Sequence, residues 1–228
     1  MSIFDDLKRI TIITGHFGSG KTEFALNYAL RLKELGKDVL IIDFDIVNPY
    51  YRTKDATELL NSRGIEVVAP GFANSNIETP TLPPEILKAF SDKSKHIIFD
   101  VGGDEDGATP LGVYYNHFKD EEYNMYFVLN ERRMLTQDIE SAFDIYSEIK
   151  YVSRLEFTGI VNNTHIMQYT DADVIKTGEK LAIAFSEKVN LPLVCTCINR
   201  SLLDKTGGIE LKSKIFPIDL YVGPGFNN

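Results

Sequence analysis

Cysteine is nearly missing from this 228-residue sequence: Cys195 and Cys197 are the two it has. A pair separated by one residue builds no disulfide framework, and such scarcity fits a reducing compartment. Long apolar runs are missing too. No stretch reaches the ~18 consecutive apolar residues that a membrane-spanning helix needs. The first residues carry Asp5 and Asp6 and lack the apolar segment of a secretory leader. A cytoplasmic, soluble protein is expected. Excess positive charge is absent as well, since 24 Lys and Arg stand against 33 Asp and Glu for a formal net charge of −9. Recognition of nucleic acid or of an anionic membrane surface draws on Lys and Arg, so this balance disfavours both. Residues 212–228 contain Pro217, Gly223, Pro224 and Gly225, which exclude a long amphipathic membrane helix there.

Hydrophobic residues make up 43 % of the chain, enough for a sizeable core, and residues 1–228 read as one domain. Short β-branched or apolar runs predict strands at 10–14, 39–42, 65–69, 96–99, 125–129 and 157–161, with a last one at 193–197. Helical spacing predicts helices at 21–35, 53–62, 84–90, 136–151 and 171–189. Residues 70–84, rich in Pro, Gly, Asn, Ser and Thr, read as a loop. Strands alternating with helices predict an α/β fold: a doubly wound, mostly parallel sheet with helices on both faces. Ligands of such sheets lie outside the carboxyl ends of the strands. The polar clusters of this sequence follow strand ends.

The first is Gly15-His16-Phe17-Gly18-Ser19-Gly20-Lys21-Thr22, which fits G-x-x-x-x-G-K-[ST] at every fixed position. Glycines let the backbone turn its N–H groups toward phosphate oxygens. Lys21 places a positive charge on the β- and γ-phosphates, Thr22 offers a hydroxyl to magnesium, and the following helix presents its N-terminus. The required strand and helix flank the motif, so a P-loop that binds a nucleoside triphosphate is expected.

Two acidic clusters follow other strands: Asp43-Phe44-Asp45-Ile46-Val47-Asn48-Pro49 and Asp100-Val101-Gly102-Gly103-Asp104. Magnesium is usually held by one or two carboxylates beside the phosphates, and a further carboxylate can orient the attacking water. Asp104-Glu105-Asp106 also reads as a solvated charge run.

These three segments resemble the MinD/ParA class of P-loop ATPases (the CobQ/CobB/MinD/ParA nucleotide-binding domain), a class that is also similar to the nitrogenase iron protein. The resemblance runs over roughly residues 10–203. It implies a P-loop NTPase fold with ATP and Mg2+ as cofactors. Lys21 and Thr22 would hold phosphate and metal. Asp45 would lie near the attacking water and the metal, Asp100 would reach the metal through water, and Asp104 is a second candidate for orienting the water. Gly102 and Gly103 would let a switch segment move. Asn163, with Asn162 next, would read the base. Guanine readers commonly carry N-K-x-D after this strand, whereas here Asn162-Asn163-Thr164-His165-Ile166 has no Asp, which favours ATP over GTP. The class has a lysine where this chain has His16, and that lysine serves a nucleotide shared by two chains. Its loss counts against a homodimer of that kind, unless His16 acts as the cation.

Cys195 and Cys197 would face the same side of a strand, as half of a metal site or as small core residues. Tyr50, Tyr51 and Arg52 follow the first acidic cluster, where Arg52 could stabilise phosphoryl oxygens. The leading expectation is a nucleotide-switch ATPase that hydrolyses ATP slowly to control a protein partner. The rivals are an ATP-dependent kinase or ligase acting on a small-molecule substrate, and a regulator that binds nucleotide without turnover.

Overall fold

The computed structural model describes residues 3–45, 57–68, 84–206 and 208–221. Eight strands form one sheet: β1 (Ile10–Thr14), β2 (Val39–Phe44), β3 (Glu66–Val68), β4 (His96–Val101), β5 (Tyr123–Leu129), β6 (Gly159–Asn162), β7 (Leu193–Asn199) and β8 (Ile215–Ile218). Their order is β3-β2-β4-β1-β5-β6-β7-β8, and every pairing is parallel. The helices are α1 (Lys21–Glu34), α2 (Thr57–Ser62), α3 (Pro84–Ser91), α4 (Asp104–Val113), α5 (Tyr115–Phe118), α6 (Ile139–Ser153), α7 (Ala172–Val189) and α8 (Arg200–Thr206).

The β-branched run of β1 is buried along its whole length, as a central parallel strand covered on both faces must be. In α1 the periodic residues Phe24, Ala25, Tyr28, Ala29 and Leu32 are all buried. Asp138 and Asp171 cap α6 and α7 by accepting the Ser141 and Val174 backbone N–H groups, each at 2.9 Å.

Alternate residues of the strands feed two cores. Ile12, Phe99 and Phe127 pack with Ile86 of α3, Leu111 of α4, Ala142 of α6 and Phe185 of α7. On the opposite face Ile13, Ile41, Ile98 and Val128 pack with Phe24, Tyr28 and Leu32 of α1 and Leu60 of α2. The fold is thus the doubly wound sheet of P-loop NTPases. From β1 the chain winds toward β3; from β4 it crosses to β5 and builds the other half. This reversal beside β1 opens the crevice where such sheets take ligands.

Two local expectations are corrected, the last strand and the start of the helix after β5. Residues 193–197 are not the last strand, because β8 pairs with β7. The acidic run 104–106 is the first turn of α4. A 3-10 turn, Met134–Thr136, precedes α6, which starts at Ile139 rather than Thr136. Cys195 and Cys197 do share a face, but they are buried free thiols in the core beneath α1, and burial pushes the Cys197 thiol up. Tyr50, Tyr51, Arg52, Asn48, Pro49 and the loop 70–83 lie outside the described residues. No helix among the described residues is long and apolar enough to cross a membrane.

Candidate functional site

The loop from Gly15 to Gly20 joins the carboxyl end of β1 to the N-terminus of α1. Gly18 and Gly20 take φ of 74° and 84°, a left-handed conformation that side chains resist. A side chain at Gly20 would also collide with the Asn163 amide. The Ser19 N–H turns back onto the His16 carbonyl at 3.1 Å, and Lys21 Nζ donates to that carbonyl at 3.1 Å. The Ser19 hydroxyl is buried and has no protein partner. Buried polar atoms are ordinarily paired, so an orphan hydroxyl inside a glycine loop fits an anion-binding role. Thr22 is buried in the first turn of α1.

The predicted carboxylates gather beside this loop. Asp43 and Asp100 are register partners on adjacent strands, and Asp100 is also the partner of Ile13 of β1. Neighbours in one row share a face, so both point to the α1 side, and both are buried. Asp45 donates its N–H to Asp43 Oδ1 at 3.2 Å, and its own carboxylate lies against Gly102. Among the described residues no group of three or more His, Cys, Asp or Glu is arranged to hold a metal. A site completed by nucleotide oxygens and water needs fewer protein carboxylates than that.

Gly103 packs on the loop so closely that a Cβ there would stand 2.5 Å from the Phe17 N. Next to it Asp104 adopts φ 73°, a conformation costing about 1–3 kcal/mol outside glycine. Its Oδ1 accepts the Gly107 N–H at 3.1 Å within the first turn of α4.

The two asparagines at the end of β6 do different things. Asn163 Nδ2 donates to the Ser19 carbonyl at 2.8 Å, holding that peptide with its oxygen outward. Asn162 is fully buried. Its Nδ2 donates to Thr196 Oγ1 at 3.2 Å and its Oδ1 accepts the Thr164 hydroxyl at 2.8 Å. The Asn162 amide thus belongs to a core network, and Asn163 is the one facing the loop.

Burial lowers the His16 pKa below the ordinary value; the Phe17 backbone and Asp104 push it up, and the Lys21 and Arg133 charges push it down, a net direction that weighs against His16 as a cation in place of the early lysine.

Three residues that the sequence reading passed over complete the surroundings. Arg133, after β5, donates Nε to the Gly18 carbonyl at 2.8 Å. His165, after β6, brings its Nε2 beside Gly20; its Nδ1 accepts the Met167 N–H at 3.4 Å, which assigns the proton to Nε2. Asn130 ties the two loops together, giving Nδ2 to the His165 carbonyl and taking the His165 N–H, each at 3.3 Å. The run Asn130-Glu131-Arg132-Arg133 follows a buried strand end, the same signal that marked the acidic clusters.

No family model matches this chain, and no curated protein matches it. Similar solved structures include cell division protein FtsY from Thermotoga maritima, 13 % identical over 81 % of this chain and 59 % of that one, with a TM-score of 0.53. FtsY from Mycoplasma mycoides is 18 % identical over 83 % and 59 %, with a TM-score of 0.51. The signal recognition particle receptor FtsY from Elizabethkingia anophelis, in complex with GDP, is 15 % identical over 81 % and 55 %, with a TM-score of 0.50. This chain thus spans less than two thirds of the length of each. At such identities the likeness shows the fold, that of a P-loop NTPase.

Proposed function

We propose that this chain binds Mg-ATP in the loop 15–22 and hydrolyses it slowly, as a switch that controls a protein partner. The observation that carries the reading is the buried, partnerless Ser19 hydroxyl inside a glycine loop between β1 and α1. The loop N–H groups, Lys21 and the α1 N-terminus would hold the phosphates. Thr22, Asp45 and Asp100 would hold magnesium, which when bound neutralises charge developing on the phosphoryl oxygens. Asp45, against Gly102, is the candidate for orienting the attacking water, and strained Asp104 is the second. Loss of the γ-phosphate would free Gly103 from the loop it packs on and Gly102 from the Asp45 carboxylate beside it.

Adenine is favoured because Asn163-Thr164-His165-Ile166 offers no carboxylate to the amino group and N1–H of guanine. GDP in the Elizabethkingia FtsY belongs to that protein.

His16 in place of the early lysine supports a second reading, transfer of the phosphoryl group to a small-molecule substrate within one chain. Without that cation, a nucleotide shared between two chains loses its main argument.

The test is ATP binding and turnover by the wild type and Lys21→Ala. The variant should lose about 100-fold or more in rate. Equal, background-level rates with no binding in either protein would remove the ATPase reading. Tighter binding of GTP than ATP would overturn the choice of base.

A further inference from the structure

Arg133 is held in place by its own loop. Its N–H donates to the Asn130 carbonyl at 3.1 Å, and Thr136 Oγ1 donates to the same carbonyl at 2.7 Å. Asn130 Oδ1 takes the Arg132 N–H at 3.0 Å. The half-buried Arg133 side chain thus reaches the phosphate loop from a braced turn. A Cβ on Gly18 would lie 3.1 Å from Arg133 Nε, 3.3 Å from Cζ and 3.6 Å from Nη2. The guanidinium therefore covers the Gly18 backbone, and Gly18 is bare where the arginine rests.

A guanidinium has five N–H donors, and one of them, at Nε, is engaged on the Gly18 carbonyl. Its neighbour Arg132 pairs with Glu131 at 2.9 Å. Arg133 has no acidic partner among the described residues. The terminal nitrogens of this half-buried cation have no protein acceptor among the described residues. Here it sits on a loop shaped for an anion, within electrostatic reach of His16 and His165.

We propose that Arg133 is the second cation of the phosphate site, its terminal nitrogens contacting the polyphosphate of the bound nucleotide while Nε stays on the Gly18 carbonyl. The inference rests on the loop 15–22 being a polyphosphate site. It supplies within one chain the charge that the related class draws from a second.

The experiment is calorimetric titration of Mg-ATP and of Mg-pyrophosphate into the wild type, Arg133→Gln, Arg133→Lys and Lys21→Ala. Gln keeps an N–H donor for Gly18 without the charge; Lys keeps the charge without the fork. Arg133→Gln should weaken both probes at least roughly tenfold, and its affinity should fall less steeply with ionic strength than that of the wild type. Arg133→Lys should recover most of the loss, and the ligand-free melting temperature should not change. Wild-type affinity in Arg133→Gln alongside lost binding in Lys21→Ala would overturn the proposal and leave the nucleotide reading standing. A loss for ATP but not for pyrophosphate would also overturn it, by placing the guanidinium at the nucleoside. If the wild type binds neither probe, the nucleotide reading fails and this inference with it.

Discussion

Ser213 gives both its backbone N–H and its hydroxyl to Glu179 Oε1, each at 2.7 Å. A carboxylate only accepts, so this contact sets the direction of every proton upstream. The Thr196 hydroxyl, 2.7 Å from Ser213 Oγ, must donate to it and can then accept Asn162 Nδ2. Asn162 Oδ1 takes the Thr164 hydroxyl, and Thr164 Oγ1 takes the Glu131 N–H at 3.0 Å. One directed chain thus joins the loop after β5 to α7 and fixes the end of β6 that carries Asn163.

Thr196→Val removes the middle of this chain while nearly keeping its shape. It leaves Asn162 Nδ2 without a partner in the core and removes the proton that Ser213 Oγ accepts, while the Ser213 hydroxyl keeps its bond to Glu179. The expected loss is about 1–3 kcal/mol in urea unfolding, and Thr196→Ser should restore most of it. A valine variant as stable as the wild type would remove the network from the account of the site.

Gly20→Ala should abolish Mg-ATP binding while leaving the circular dichroism spectrum intact. The new methyl meets the Asn163 amide at a backbone φ of 84°, so the loop must shift where its N–H groups converge. A binding loss of about 100-fold or more is expected by calorimetry.

Asp100→Asn keeps the shape of the strand end and removes one of two adjacent carboxylates. Hydrolysis should fall by about 100-fold or more, and the magnesium concentration for half-maximal rate should rise. Asp45→Asn should lower the rate with less change in magnesium requirement. Identical magnesium curves for the wild type and Asp100→Asn would release Asp100 from the metal.

Stability should decline in mild acid. Burial, and after it the Arg133 charge, lowers the His165 pKa from 6.5 to about 4. The unfolded chain therefore binds the proton first as pH drops. The native advantage is whole above about pH 6.5 and is lost progressively toward pH 4, a change on the order of 2–3 kcal/mol. His16 and His96, lowered mainly by burial, act in the same direction. Denaturant titrations at pH 7 and pH 5 measure the slope, which His165→Gln should flatten.

Much of this was legible in the residues. β1, the glycine loop and α1 can be read directly, because the pattern changes from a continuous apolar run to helical spacing across Gly15–Gly20. Asp43 and Asp100 follow from the strand-end rule. α4 escaped notice because Gly107, Pro110 and Gly112 look like breakers, yet Gly107 and Gly112 are where backbone approaches backbone: Gly107 meets Gly102 and Gly112 meets Val152. β8 escaped because Pro217 argues against a strand, although an outermost strand tolerates one. The choice between Asn162 and Asn163 turns on strand alternation at a single residue. Arg133 meets Gly18 across 115 residues of sequence, and no local pattern encodes such a meeting.

Asn27 sits two turns into α1. It takes the Asp219 N–H and gives its own to the Asp219 carbonyl, both at 2.8 Å, while Glu23 accepts the Tyr221 N–H at 2.9 Å. The helix that begins at the phosphate loop is thereby fastened to the chain leaving β8, 192 residues later. During synthesis the loop emerges well before the segment that fastens its helix, and α1 can be locked only after residue 221 has left the ribosome. A nascent chain stalled before that point would carry the full glycine motif and still lack a seated α1, so tight nucleotide capture should wait until residue 221 has emerged.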